Sequence, residues 1–153
     1  MSKTEGSIMR YFITLLAAVS GLAASAAHAA PPIEATLYKN PQCGCCDAYA
    51  EHLEENGFDV KMENTEDLSV IKKMAGVPEE LGGCHTMRVG NYVVEGLVPL
   101  DTLNRLLTER PDIRGIALPG MPSGAPGMPG PKPEPFKIYE ISDAKPPVVY
   151  ATE

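Results

Sequence analysis

Apolar residues recur along this chain with two different periods, and each change of period marks the start of a new element. Ile33 to Tyr38 has strand character and is stopped by Asn40-Pro41. From Cys46 onward, Tyr49, Ala50 and Leu53 fall at helical spacing, and Gly57 supplies a C-terminal signal. Phe58 to Asn64 alternates as a second strand, after which Leu68, Ile71, Met74 and Ala75 mark a short amphipathic helix closed by Gly76 and Pro78. Met62 and Met74 fall on the apolar faces of these elements and are expected in the core. Thr86 to Val89 and Tyr92 to Glu95 read as two strands joined by the hairpin signal Gly90-Asn91. Leu100, Leu103, Leu106 and Leu107 form one face of a last helix, with Pro99 at its start and Pro111 beyond its end. The predicted order is βαβαββα.

The pattern then changes. Residues 111–135 hold 8 prolines and 5 glycines, a composition read as unable to form a core element. Pro-Gly-Met-Pro occurs twice there, at 119–122 and 126–129. Phe136 to Ile141 and Val148 to Tyr150 are candidates for a terminal hairpin or edge strands. At the other end, Lys3 and Arg10 flank a charged start, Tyr11 to Ala24 is apolar, and Ala27-His28-Ala29 has the small-residue pattern of a cleavage site. An export signal is expected, cleaved near Ala29/Ala30, with no stable membrane insertion afterwards and a periplasmic location. The remaining chain carries 11 Lys and Arg against 19 Asp and Glu, roughly −8, which makes nucleic acid an unsuitable partner.

Four cysteines give the chain its chemistry. Three lie in Cys43-Gly44-Cys45-Cys46, where a strand hands over to a helix, and the fourth is in Cys84-His85. A bond between Cys45 and Cys46 would join Cα atoms about 3.8 Å apart, short of the usual 4.4 to 6.8 Å, so a local bridge pairs Cys43 with Cys46 or with Cys45. A helix N-terminus favours an anion, so a cysteine there is biased to thiolate. Cys43 occupies that position, and Cys46 falls on the same face as Tyr49, Ala50 and Leu53. The pair reads as a thioredoxin-like redox motif, with Cys43 as attacking thiolate and Cys46 as resolving thiol. Cys45 is surplus to that machinery, and a soft ion such as Cu(I) gives it a use. Zinc, bound by three cysteines and His85, competes less well, because thiolates crowded on one helical turn suit low coordination better than a tetrahedron.

In thioredoxin-like folds the segment before the third strand packs against the Cys-x-x-Cys turn and usually carries a cis-proline. Gly83-Cys84-His85-Thr86 is similar to that segment with His85 in the proline position, so a trans bond is expected. Cys84 and His85 are then delivered to the cluster, His85 as a ligand, a proton carrier or merely a hydrogen-bonded ring. His52 lies about 10 Å along the helix from Cys45 and reads as a surface residue. The acidic Glu51, Glu54 and Glu55 read as a solvated face. Met121 and Met128, up to about 22 Å apart in an extended loop, are expected to anchor that loop, with one reaching the cysteines as the alternative.

Taken together, residues Tyr38 to Cys46, Glu51-His52-Leu53-Glu54, Cys84-His85-Thr86, Tyr92 to Pro99 and Pro119-Gly120-Met121-Pro122 make the chain resemble the CopG-type periplasmic thioredoxin-like proteins of bacterial copper-resistance systems. The resemblance implies an α/β thioredoxin-like fold with a central mixed sheet and flanking helices. It also implies copper binding by the cysteines and a copper-linked thiol redox role. The expected organisation is a signal peptide (1–29), a thioredoxin-like domain (30–118), a Pro/Gly/Met-rich loop (119–135) and a C-terminal β extension (136–153). The expected site is Cys43, Cys45, Cys46 and Cys84, with His85 as a further candidate, holding more than one Cu(I). Its expected partners are copper ions and other periplasmic copper-resistance or thiol-redox proteins.

Overall fold

The computed structural model describes residues 30–153, so the signal-peptide reading of 1–29 lies outside the described residues. Among the described residues, no helix is long and apolar enough to cross a membrane. The described residues begin with β1 (Ile33–Lys39), α1 (Gly44–Glu54) and β2 (Phe58–Asn64), a unit that places β2 parallel to β1. Next come α2 (Leu68–Ala75), a 3₁₀ turn (Glu79–Leu81), β3 (His85–Val89), β4 (Tyr92–Glu95) and α3 (Leu100–Glu109). Asp67 caps α2 by accepting from the N–H groups of Ser69 and Val70, and Gly76 ends it in the left-handed conformation. All seven elements predicted by period alone are present.

Three further strands extend the fold: β5 (Gly115–Ala117), β6 (Lys137–Glu140) and β7 (Val149–Thr152). They complete a mixed sheet of seven strands in the order β2-β1-β3-β4-β5-β6-β7. The expected terminal hairpin is β6 with β7, closed by mutual backbone bonds between Phe136 and Glu153. It is tied to α3, where Arg105 donates to the Tyr150 carbonyl and stacks over the Tyr150 ring. This α/β architecture of mixed sheet and flanking helices is the expected fold class.

Two expectations are overturned. The segment 111–135 does supply a core element, because Ile116, Ala117 and Leu118 are buried beside β4. Its average composition hid a short apolar run, and Gly115 lets that run approach Val93 more closely than a Cβ would allow. Met62 and Met74 are not core residues, being 45% and 81% exposed. Met74 sits roughly 100° around the helix from the stripe of Leu68, Ile71 and Ala75. Met62 lies on the outermost strand, past Phe58 and Val60, where the buried cluster has ended.

Three backbone segments, before β3 and after β4 and β5, meet without side chains between them. A Cβ on Gly83 would lie 2.6 Å from the Gly96 Cα, and one on Gly96 would overlap the Leu118 carbonyl oxygen. Gly96 also has φ +72°, a conformation that other residues rarely adopt. Gly96→Ala should therefore combine strain with overlap and cost about 2 kcal/mol or more. Urea denaturation of the two proteins measures this, and an unchanged midpoint would contradict it.

Candidate metal and thiol site

The site starts at the end of β1. Asn40 to Gly44 form a turn in which Asn40 accepts from the N–H of Cys43 through its carbonyl and from the N–H of Gln42 through Oδ1. Lys39, although at the end of a strand, is only 4% exposed. Its Nζ donates to the carbonyls of Asn40 and Pro41 and pairs with Asp47 Oδ1 at 2.9 Å in the first turn of α1. A single buried cation thus fastens the strand end, the turn and the helix start together. Cys43 stands at the N-cap of α1, with its own side chain capping nothing.

The cysteines behave as their helical positions predict. Cys43 is bonded to Cys46, so the local bridge takes the first of the two open pairings. Cys46 is fully buried in the core face with Tyr49, Ala50 and Leu53, whereas Cys45 is half-buried with its Sγ 3.4 Å from Cys43 Sγ. Cys84 comes from the segment before β3 and is also half-buried and free. Cys46 Sγ is 3.6 Å from the Cys84 carbonyl oxygen, which can accept from its thiol once the disulfide is reduced. All four Sγ atoms lie within 4.8 Å of one another. Four soft donors with no carboxylate among them suit a soft ion, and separations of this size are close to twice a metal–sulfur bond of about 2.3 Å.

Cys84 is held in place by groups that sequence reasoning missed. The Glu95 side chain is completely buried at the end of β4, and its Oε1 accepts from the Gly83 N–H at 2.6 Å and from Lys72 Nζ. Its Oε2 accepts from the Thr86 hydroxyl at 2.7 Å. Glu95 therefore bonds to the chain on both sides of Cys84-His85. The available sequence signal was a charge at an inward strand position, which Lys39 and Glu95 share. The Cys84–His85 peptide is trans, as expected without proline.

His85 is fully buried, with its ring tilted against Tyr49 at a centroid separation of 4.9 Å. Its Nδ1 is 3.4 Å from Cys84 Sγ, and Nε2 has no hydrogen-bond partner among the described residues. The ring thus meets the sulfur group through Cys84, and the cluster of four donors is cysteine-only. Burial holds the imidazole neutral, lowering its pKa to about 3, and the Lys72 charge adds to this. Burial also pushes the Cys84 thiol up to about 12, helped by the charge and hydrogen bond of Cys45. The Tyr49 phenol, raised by burial and then by Cys84, stays protonated and donates to the Val98 carbonyl at 2.9 Å.

The other sequence candidates divide clearly. His52 lies near the end of α1 and outside the sulfur group, as expected, but is half-buried rather than fully solvated. Met121 reaches the site, its Sδ 4.0 Å from Cys45 Sγ, while Met128 packs against the core.

Residues 81–128 match a family model described as a protein of unknown function, DUF411. That stretch includes Cys84, Glu95, Met121 and Met128, but not the Cys43–Cys46 turn. Two solved structures of a copper resistance protein, CopG, in its forms 1 and 2, are similar to the chain at 35% identity. The similarity covers 80% of this chain and 98% of each of those, with TM-scores of 0.72 for form 2 and 0.71 for form 1. No curated protein matches the chain.

The buried imidazole makes stability depend on pH. Its folded pKa lies below the ordinary 6.5, so the unfolded chain takes up the proton first. The neutral ring's contribution is complete above pH 6.5 and is lost as pH falls from there towards 3, at up to about 1.4 kcal/mol per pH unit. Denaturant titrations across that window should show this slope reduced in His85→Phe; an equal slope would contradict the assignment.

Proposed function

This chain belongs to the family of the copper resistance protein CopG, and from that membership we propose that it binds Cu(I) in the periplasm through one site of four cysteines, coupling copper handling to thiol redox chemistry. The observation that carries the proposal is the convergence of Cys43, Cys45, Cys46 and Cys84 within 4.8 Å. The presence of a disulfide within that group gives the site two chemical forms.

In the oxidised form, two of the four sulfurs are bonded to each other and only Cys45 and Cys84 are free. Two electrons and two protons, supplied by an external dithiol, convert the Cys43–Cys46 bond into two thiols. Cys43, at the helix start beside the Lys39–Asp47 pair, is the sulfur presented for exchange. Cys46, buried beneath it, is the resolving partner. The reduced form offers four soft donors in one place, and bridging thiolates let such a group take more than one Cu(I). Copper supplies a thiolate-binding cation when bound, and the chain's own work is to hold the sulfurs together and manage their protons. Cys84 keeps its proton at neutral pH, so metal binding there displaces one. That proton leaves to solvent, because burial holds the neighbouring His85 imidazole neutral. The partners that fit are copper ions and periplasmic copper-resistance or thiol-redox proteins.

Anaerobic titration of the reduced protein with Cu(I) against a chromophoric chelator tests this, run beside a disulfide-reduction assay. More than one Cu(I) per reduced chain is expected, with fewer bound when Cys43–Cys46 is oxidised. Affinity should weaken as pH falls, by about tenfold per unit for each proton displaced. Cys45→Ser should reduce the copper count. A stoichiometry below one would contradict the proposal. Disulfide exchange without metal, unaffected by Cys45→Ser, would mark a simple dithiol oxidoreductase; tight copper binding without exchange would mark a copper buffer.

A further inference from the structure

The two edges of the sheet are finished differently. At the β7 edge the register slips between Ile138 and Tyr139, and Arg105 takes the Tyr150 carbonyl. Both features spoil an edge for pairing with another strand. β2, at the opposite edge, has neither: its register against β1 is unbroken and it holds no proline. Parallel pairing engages alternate residues. The Ile33 N–H donates to the Gly57 carbonyl and the Thr65 N–H to the Lys39 carbonyl, so Gly57, Asp59, Lys61, Glu63 and Thr65 turn their backbone groups towards β1. Phe58, Val60 and Met62 turn theirs outward, where nothing among the described residues takes them.

The side chains of the same stretch alternate as well. Phe58 and Val60 are buried in the cluster that α1 joins, Met62 follows them on that face at 45% exposed, and Asp59 and Lys61 are exposed on the other. Phe58-Asp59-Val60-Lys61-Met62 therefore reads apolar, acid, apolar, base, apolar, which complements itself when the strand is turned end to end about Val60. A second copy laid antiparallel on that centre sets Val60 against Val60, Phe58 against Met62 and Asp59 against Lys61, the last two twice by the two-fold symmetry. The outward backbone groups of 58, 60 and 62 then form the hydrogen-bonded pairs. Asp59 and Lys61 fall at the closer, non-hydrogen-bonded positions, where opposite charges attract and like charges repel most directly. Sliding the centre to Lys61 would set Lys61 against Lys61 and Asp59 against Glu63, and sliding it to Met62 would set Val60 against the exposed Asn64.

We propose that β2 is a dimerisation edge, at which two copies of this chain join their sheets by antiparallel pairing of residues 58–62 about Val60. The inference rests on the backbone and charges of β2 and is independent of the copper reading. Pairing covers the exposed Met62 with Phe58 of the second copy and satisfies the open backbone groups. Asn64 stands level with Lys39, where β1 hands over to the cysteine turn. The two cysteine sites consequently lie past the paired stretch, at opposite ends of the joined strands, and both stay open.

Sedimentation equilibrium of the purified protein at low ionic strength, where exposed charges are least screened, tests this with Asp59→Lys and Lys61→Asp as variants. The parent is expected to show a reversible monomer–dimer equilibrium. Each variant alone places like charges opposite one another twice, so its dimer should be weaker on the order of tenfold. An equimolar mixture of the two restores both attractions and should recover a heterodimer of parental strength. That recovery also shows that the variants are folded, as does thermal melting unchanged from the parent. A parent that stays monomeric at every concentration overturns the proposal. So does a dimer indifferent to Asp59→Lys, which marks another surface or another register, and so does a mixture that pairs no better than either variant alone.

Discussion

A buried carboxylate governs the position of the sulfurs. Glu95 has no exposed surface, and its oxygens are taken up by the Gly83 N–H, the Thr86 hydroxyl and the Lys72 ammonium. Burying such a group without partners would cost several kcal/mol, so the segment before β3 is drawn to it and fixed there. The close backbone approach of Gly83 to Gly96, and of Gly96 to Leu118, leaves that segment little freedom. Cys84 is carried between the two points that Glu95 grips. The same contact region receives the Gly120 bridge, so Cys84 and Met121 share one support.

The opposing half of the site is held by a second buried charge. Lys39 joins the end of β1 to the turn and to Asp47, and it lies opposite His85 in the β1–β3 register. Two inward charges, at the ends of β1 and β4 on either side of β3, therefore face a mostly apolar core and orient the two sulfur-bearing segments towards each other. The four sulfurs differ in consequence: Cys46 is sealed in the core, Cys43 and Cys45 lie on the helix's first turn, and Cys84 faces them with a raised pKa. A protein that needed only a structural cross-link would gain nothing from the two extra thiols beside it. The arrangement is economical for a site that alternates between a disulfide and a bound soft metal.

Much of this was legible in the sequence, because strong periodicity and a dense motif are local properties. The seven elements from β1 to α3 followed from spacing, and the placement of Cys43 at a helix start with Cys46 inward followed from a helix's 3.6-residue turn. Cys84 was brought to the cluster only by likeness to a known chain path, since no local signal in residues 82–86 encodes a contact with residues 43–46. Ile116 to Leu118 were lost in the average of a proline-rich window, although three apolar residues suffice where a parallel neighbour is waiting. Met62 and Met74 showed the opposite error: correct period and approximate face, but beyond the limits of the core. The division of labour between Met121 and Met128 was unreadable from two identical tetrapeptides, because it is decided by contacts in space, Gly120 bridging Gly83 and Gly127 lying against Cys45 and Tyr49. Lys39 and Glu95 were visible as charges at inward strand positions, the kind of local conflict that marks a site.

The central claim is that Cys43, Cys45, Cys46 and Cys84 act as one metal site when reduced. Anomalous scattering at the copper edge, from crystals of the reduced chain loaded anaerobically with Cu(I), tests it most directly. The account predicts copper peaks enclosed by the four Sγ atoms, with the Cys43–Cys46 bond open. Copper located elsewhere, such as at His52, with that bond intact, would contradict it.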